Sequence, residues 1–228
     1  VIELPSIRLK PYEENSDLLE ALKQIKSYQW LTFTSVSGVK FFFQFLKKNR
    51  IDVRTLFHLH IAVIGTGTEK ELENHGFFAD FVPEQYDAQT LAQGLCERMN
   101  TGERVLVPRA KIGSEDLPRI LEENKIAYRD IPIYDTVFES HNAHAVKALA
   151  EKKEISCAVF TSASTVHGFA KTMSGISLSD LTAACTGEKT AQAAQQYGMK
   201  TIVSEKATID SLTQLLVDHA DRLRLNRE

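Results

Sequence analysis

The same five-residue pattern occurs twice in this chain, and this repeat limits the fold more than any other feature. Residues 33–37 read Phe-Thr-Ser-Val-Ser, and residues 160–164 read Phe-Thr-Ser-Ala-Ser. Each copy ends a short apolar run and precedes a segment whose apolar residues fall at helical spacing. Both copies therefore predict a buried strand that ends in a Ser/Thr turn, with that turn capping the next helix.

Other landmarks repeat at constant offsets along the chain. The first offset relates Pro5 to Pro132 and Phe33 to Phe160, and a second relates Gly65, Thr68 and Gly76 to Gly187, Thr190 and Gly198. An internal duplication is the simplest account of these matches.

Short apolar runs alternate with helix-period segments through short turns. Residues 60–64, 77–82 and 105–107 are examples of predicted strands. Such alternation is typical of an α/β fold, and the duplication makes it two similar doubly wound domains with parallel sheets. Ligands of doubly wound sheets usually bind at the carboxyl ends of the strands, where the repeated turns are expected to lie.

Composition excludes several classes of protein. A net charge of -3 argues against a nucleic-acid or membrane partner. The three cysteines lie far apart and are interpreted as free thiols in a reducing compartment. With no apolar run of about 18 residues and no signal peptide in this sequence, a cytoplasmic location is expected.

The turns at Ser35, Gly65, Ser162 and Gly187 are the first candidate binding positions, because helix N-termini present N–H groups to anions. Residues 65–68 read Gly-Thr-Gly-Thr, which lacks the fingerprints of dinucleotide and nucleoside triphosphate sites. A simple capped turn and an anion contact both stay open there. Neither serine has an adjacent base, so caps and hydrogen-bond donors suit them better than nucleophiles.

Arg109 and Tyr134 are the other candidates. Arg109 follows a predicted strand, where a guanidinium could hold a carboxylate through two hydrogen bonds; an ordinary surface arginine is the alternative. Tyr134 lies in the segment between the two halves, and its phenol is a donor at neutral pH; a packing tyrosine is the alternative. His141 and His144 lack further ligands, so no metal site is expected.

In this order and spacing, these motifs resemble the uroporphyrinogen-III synthase family over essentially the whole chain. The resemblance rests on the two Phe-Thr-Ser turns and on residues 63–65 with Thr68, 107–110, 132–137 and 186–187 with 190–191. It implies two α/β domains joined by a two-stranded antiparallel ladder, with the active site in the cleft between them. The domains would be 13–131, and 1–6 with 139–228; the ladder would be 7–12 and 132–138.

The family's reaction converts hydroxymethylbilane, a carboxylate-rich linear tetrapyrrole, into uroporphyrinogen III with loss of water and inversion of ring D. The resemblance implies a monomer without a cofactor. For this reaction, Tyr134 is the predicted proton donor because of its place at the hinge of the cleft. The predicted substrate-binding residues are Ser35, Gly65, Thr68, Arg109, Ser162, Gly187 and Thr190.

The duplication also predicts a gap, because the first copy lacks a strand–helix pair of about 25 residues before Val1. Its absence would remove an Arg-containing turn of the family's cleft. Two other classes stay open at this point. One is a two-domain binding protein for a small anion without catalytic activity, and the other is a sugar-nucleotide transferase, for which the chain is short.

Overall fold

Strands and helices alternate along the computed structural model, which describes residues 2–138 and 143–225. The strands are β1 (Ile7–Pro11), β2 (Trp30–Phe33), β3 (His60–Val63), β4 (Arg104–Ala110), β5 (Ala127–Phe138), β6 (Cys157–Phe160), β7 (Thr182–Cys185) and β8 (Lys200–Val203). The helices are α1 (Ser16–Lys23), α2 (Val36–Lys48), α3 (Thr66–Glu73), α4 (Ala88–Arg98), α5 (Asp116–Glu123), α6 (Ala143–Glu151), α7 (Ala163–Thr172), α8 (Glu188–Gln195) and α9 (Ile209–Leu225).

The chain divides into two compact units. One comprises Leu9–Thr136, and the other comprises Val1–Arg8 with Val137–Glu228. The predicted domain and ladder boundaries stay a prediction, and residues 139–142 and 226–228 of the second predicted domain lie outside the described residues. No helix in the described part of the chain is long and apolar enough to cross a membrane.

The first sheet has the strand order β1-β5-β4-β2-β3. Strand β2 pairs in parallel with both β3 and β4, and β4 pairs in parallel with β5. Because successive side chains of a strand point to opposite faces, Leu31 and Phe33 pack in the cluster that holds Phe42 of α2. Trp30 packs in the other cluster, with Leu91 of α4. Helices therefore cover both faces of this sheet.

The second sheet contains three described strands, in the order β6-β7-β8, and all of its pairs are parallel. Its core includes Phe160 at the end of β6, Val166 and Phe169 of α7, and Ala183 of β7. Two parallel sheets, each with helices, confirm the predicted fold class.

The duplication is visible in the backbone hydrogen bonds. The amide of Ile64 donates to the carbonyl of Phe33 at 3.1 Å, and at the corresponding place Thr186 donates to Phe160 at 3.2 Å. Likewise Gly76 and Gly198, which follow α3 and α8, have φ values of 80° and 79°. Both copies therefore build the same strand ends and the same left-handed helix ends.

One predicted strand is wrong. Residues 77–82 form only an isolated bridge, in which Phe81 pairs with Ala62. The reason is Asp80, whose Oδ2 accepts a hydrogen bond from the amide of Ile61 at 2.7 Å. In a continuous strand pair the Ile61 amide would donate to a backbone carbonyl of residues 77–82. Here it donates to the Asp80 carboxylate instead, so the pairing ends at the bridge.

Gly168 of α7 lies against the N-terminal segment of the same unit. A Cβ at this position would lie 2.4 Å from the carbonyl oxygen of Ser6 and 2.9 Å from Cγ2 of Ile7. The nearest atom belongs to the backbone, so it moves only if the segment moves. The Ser6 hydroxyl also bonds the Thr165 carbonyl at 3.3 Å, which ties the same segment to α7.

Substituting Gly168→Ala is therefore expected to destabilise this unit by about 1–3 kcal/mol, the usual cost of overpacking. Urea denaturation followed by circular dichroism measures it. Gly67→Ala is the matched control, because the nearest atom to its Cβ, Cγ2 of Val36, lies 3.7 Å away. The Gly67→Ala midpoint is expected to stay near that of the unsubstituted chain, and the same result for Gly168→Ala would contradict the close packing of Gly168.

Candidate active site

Ser35 lies between the end of β2 and the start of α2. Its backbone is extended, and its Oγ accepts a hydrogen bond from the amide of Gly38 at 3.0 Å, so it caps the helix as predicted. A Cβ at Gly38 would lie 3.2 Å from Ser35 Oγ and 3.5 Å from the carbonyl oxygen of Pro108. The first turn of α2 is therefore held close to the end of β4.

Tyr134 of β5 points its phenol to this turn. Its Oη lies 2.9 Å from Ser35 Oγ, and its ring packs against Phe41 of α2 with the ring centroids 5.2 Å apart. Strand β4 lies between β5 and β2 in the sheet, so the phenol reaches across the carboxyl end of β4. Tyr134 is only 5% exposed, which gives its hydroxyl a fixed position.

The surroundings of Tyr134 favour the protonated form of its phenol. Burial raises the pKa of the Tyr134 phenol above its ordinary value of 10.0, and the hydrogen bond with Ser35 opposes this shift. At neutral pH the residue is therefore a phenol that donates, as the sequence predicted for its chemistry.

Gly65 and Thr68 lie at the neighbouring strand end, where α3 follows β3. Gly65 is the N-cap residue, and the amide of Thr68 donates to its carbonyl at 3.0 Å. The ring of Tyr86 covers Gly65, since a Cβ there would lie 2.9 Å from Tyr86 Cγ. Tyr86 itself is 58% exposed, so an aromatic face lies at this edge of the sheet.

Arg109 is at the end of β4, but its side chain turns inward. Its Nε and Nη2 donate to the Asp130 carboxylate at 2.8 and 2.6 Å, and its Nη1 donates to the Ser114 carbonyl at 2.6 Å. Hydrogen bonding to Asp130 raises the pKa of the guanidinium. The geometry gives Arg109 a role inside the fold and does not support the predicted carboxylate clamp.

The other unit carries the corresponding turns. Ser162 caps α7, with its Oγ 3.4 Å from the amide of Thr165 and 3.0 Å from Oγ of Ser164. Gly187 is the N-cap residue of α8, and Thr190 in the first turn is buried. These three predicted residues thus lie together at the carboxyl ends of β6 and β7.

Four residues of these surroundings were not predicted, namely Gly38, Phe41, Tyr86 and Asp130. Asp130 had a signal, because a carboxylate inside a strand that follows a strand containing an arginine suggests a pair. Gly38 carries the amide that an N-cap at Ser35 pairs with, so the predicted cap was a signal for it. Phe41 and Tyr86 contact Tyr134 and Gly65, which are distant in the sequence, and the local sequence pattern carries no signal for such contacts. In the part of the chain that the structure describes, no three His, Cys, Asp or Glu side chains form a metal-binding group; His141 lies outside it.

Known proteins are similar to this chain in sequence and in fold. The family model described as "Uroporphyrinogen-III synthase HemD" matches residues 1–214. The "Porphyrin biosynthesis protein HemD" of Ruminiclostridium josui is 39% identical over 217 residues, which are 95% of this chain and 43% of that protein. This chain therefore spans less than half of that relative's length.

Two further relatives agree with this match. The "Uroporphyrinogen-III synthase" of Synechococcus elongatus is 26% identical over 93% of this chain and 83% of that protein. The crystal structure of uroporphyrinogen-III synthetase from Helicobacter pylori 26695 has the same fold, with a TM-score of 0.68 and 19% identity over 93% of this chain and 90% of that one. The match of the family model, together with the 39% identity to the Ruminiclostridium josui protein, shows that the chain belongs to the uroporphyrinogen-III synthase family.

Proposed function

We propose that this chain cyclises hydroxymethylbilane to uroporphyrinogen III, with loss of water and inversion of ring D. Membership of the family supports the reaction. The observation in the structure that carries the proposal is the buried Tyr134 phenol, which hydrogen-bonds Ser35 at the carboxyl end of a parallel sheet.

In the first step the terminal hydroxyl leaves. Tyr134 Oη transfers its proton to the departing oxygen, the C–O electron pair leaves with it as water, and the positive charge spreads over the pyrrole. Inversion follows through a spiro-pyrrolenine: the cationic methylene bonds to the ring D carbon that already bears the methylene of ring C, and the bond between that carbon and the ring C methylene then breaks. The freed methylene cation bonds to the unsubstituted α-carbon of ring D, and the proton lost from that carbon returns to Tyr134 Oη, which restores the phenol. A group that is a phenol at neutral pH suits both transfers.

The substrate's carboxylates need partners, and the helix starts supply N–H groups. The turns at Ser35 and Gly65 serve one edge, and those at Ser162 and Gly187 serve the other. A well-aligned hydrogen bond to a charged group contributes about 1.5–3 kcal/mol. That one substrate meets both edges stays a prediction from the resemblance.

Geometry decides which product forms. Closure without inversion gives isomer I, so the protein must hold the reacting carbons in the arrangement that leads to isomer III. Holding two reacting groups in place can supply about 7–11 kcal/mol of a barrier, without any triad or metal. The capped turns and the buried phenol are the fixed groups that this task requires.

A coupled assay tests the proposal. Porphobilinogen deaminase generates hydroxymethylbilane, and the products are oxidised to porphyrins and separated into isomers I and III. Isomer III is expected to dominate when the chain is present. An isomer ratio equal to that without the chain would overturn the activity, and binding of hydroxymethylbilane without its consumption would identify an anion-binding protein instead.

The second strand-end site makes a further prediction. Ser162→Ala and Thr190→Val are each expected to lower kcat/KM for isomer III about 3- to 10-fold without abolishing it, since each removes one of several hydroxyls that orient the substrate. Steady-state kinetics measures this change, with the exposed Ser174→Ala of the same unit as control. Full activity in both variants would remove these residues from substrate binding.

A further inference from the structure

We propose that Ser35 is the positioning residue of Tyr134: its hydroxyl donates to the phenol oxygen and stabilises the phenolate that forms when Tyr134 gives up its proton. This inference rests on the proposed function and deepens it. Here Ser35 acts on the proton donor, Tyr134, whereas the sequence predicts that Ser35 binds the substrate.

The hydrogen bonds around Ser35 define this role. Among the described residues, Ser35 Oγ has two hydrogen-bond partners, the Gly38 amide at 3.0 Å and Tyr134 Oη at 2.9 Å. The amide only donates, so Ser35 Oγ accepts from it. The serine still has its own proton, which is directed to Tyr134 Oη if the phenol's proton is used elsewhere.

The reaction determines which of the two hydroxyls donates in the hydrogen bond between Ser35 and Tyr134. Once the Tyr134 proton moves to the departing hydroxyl oxygen, the phenolate oxygen has no proton and accepts only. Ser35 Oγ–H is the group within hydrogen-bond distance that donates to it. The Gly38 amide, in the positive first turn of α2, polarises that hydroxyl in turn. The chain of donors thus runs from α2 through Ser35 to Tyr134.

Tyr134 needs such a donor because its surroundings disfavour the charge. The residue is 5% exposed and its ring packs against Phe41, so water does little to solvate a phenolate. Burial accordingly raises the pKa of the phenol, and the hydrogen bond with Ser35 lowers it. The hydrogen bond from Ser35 therefore stabilises the Tyr134 phenolate and offsets part of the solvation that the phenolate loses through burial.

The duplication shows that the pair is specific to one copy. The position that corresponds to Tyr134 in the other copy is Ile7, which has no hydroxyl. There the twin serine, Ser162, has Oγ of Ser164 as its nearest side-chain partner, at 3.0 Å. The capping serine is common to both copies, and the phenol beside it belongs to one.

Kinetics provide the first test. Ser35→Ala is expected to lower kcat for isomer III about 10- to 100-fold, the loss that follows removal of one hydrogen bond to a charged group, with KM changed less than about threefold. Ser35→Thr keeps the hydroxyl and is expected to recover most of kcat. Thr208→Ala, which removes a cap of α9, is the control for lost helix capping and is expected to leave kcat unchanged.

A titration provides the second test and needs no turnover. The Cζ resonances of labelled tyrosines are followed with pH, and Tyr134→Phe assigns the signal of Tyr134. The pKa of Tyr134 is expected to rise in Ser35→Ala and to return in Ser35→Thr. Gly38→Ala, whose Cβ would press on Ser35 Oγ at 3.2 Å, is expected to raise it as well.

Two results would overturn the inference. One is a Tyr134 pKa that is the same in Ser35→Ala and in the unsubstituted chain, and the other is a Ser35→Ala variant that changes KM alone. The first result does not depend on whether the chain makes isomer III, because the titration needs no turnover. Failure of the proposed function would instead appear as isomer I alone from the unsubstituted chain.

Discussion

Tyr134→Phe is expected to lower kcat for isomer III formation by about 10²- to 10⁴-fold, the usual contribution of a positioned general acid. The phenyl ring keeps the packing against Phe41 and removes only the hydroxyl that hydrogen-bonds Ser35. Because the hydroxyl is proposed to act in the step that breaks the C–O bond, KM is expected to change less than about threefold. Stopped assays of isomer III with purified hydroxymethylbilane measure both constants.

The same strand offers a matched control. Tyr128 lies in β5 and is half-buried, so Tyr128→Phe makes the same chemical change away from Ser35. It is expected to retain the full kcat. If the Tyr134 and Tyr128 variants turned over alike and near the unsubstituted rate, Tyr134 would be a packing residue and not the acid.

The pH dependence follows from the position of Tyr134. Since burial raises the pKa of its phenol above 10.0, the acid form is fully present at neutral pH and is lost only as the pH rises beyond that value. The pH profile of kcat/KM for isomer III is therefore expected to show the loss that belongs to Tyr134 only above about pH 10, because this ratio reports pKa values of the free protein.

The strand ends were predictable because their signals are local. The Ser35 and Ser162 turns each combine an apolar strand, a capping hydroxyl and a helix-period segment within about ten residues. Repetition then supplied the second strand end, since Gly187 and Thr190 follow from Gly65 and Thr68. The parallel arrangement follows from the alternation, so the fold class needed no knowledge of long-range contacts.

The orientation of side chains at those ends was less predictable. Arg109 stands at the correct place in the sequence for a ligand contact, yet its guanidinium is paired with Asp130. The position of Tyr134 was predicted, but its contact with Ser35 depends on β4 lying between β5 and β2. The strand at 77–82 failed because the Asp80 side chain replaced a backbone partner. In each case a distant residue decided the outcome.

Asp130→Ala is expected to destabilise its unit by about 3 kcal/mol, since it leaves the Arg109 guanidinium, with a side chain only 7% exposed, without a carboxylate. Arg109→Met is expected to cost less. The carboxylate that it leaves behind is 25% exposed and regains water, and the methionine fills part of the vacated volume. Asp130→Ala is thus expected to destabilise the unit more than Arg109→Met does, because the arginine is buried more deeply than the aspartate.

Fluorescence of Trp30 reports on this unit alone, because it is the single tryptophan of the chain and lies in β2. Urea unfolding followed at Trp30 gives the free energy for each variant. Glu123→Ala breaks the exposed Arg119–Glu123 pair of α5 and serves as the control, with little expected change. If Glu123→Ala and Asp130→Ala destabilised the unit equally, the claim that the buried ion pair matters more to stability than the exposed one would be wrong.

Combining Arg109→Met with Asp130→Ala separates the two roles of Arg109. If the pair acts within the fold, removing both charges costs less than the sum of the single substitutions, because neither charge is left buried and alone. The KM of the folded double variant for hydroxymethylbilane is then expected to stay near that of the unsubstituted chain. A recovered stability with a KM raised more than about tenfold would return Arg109 to substrate binding, since only a lost contact with the substrate carboxylates would produce that combination.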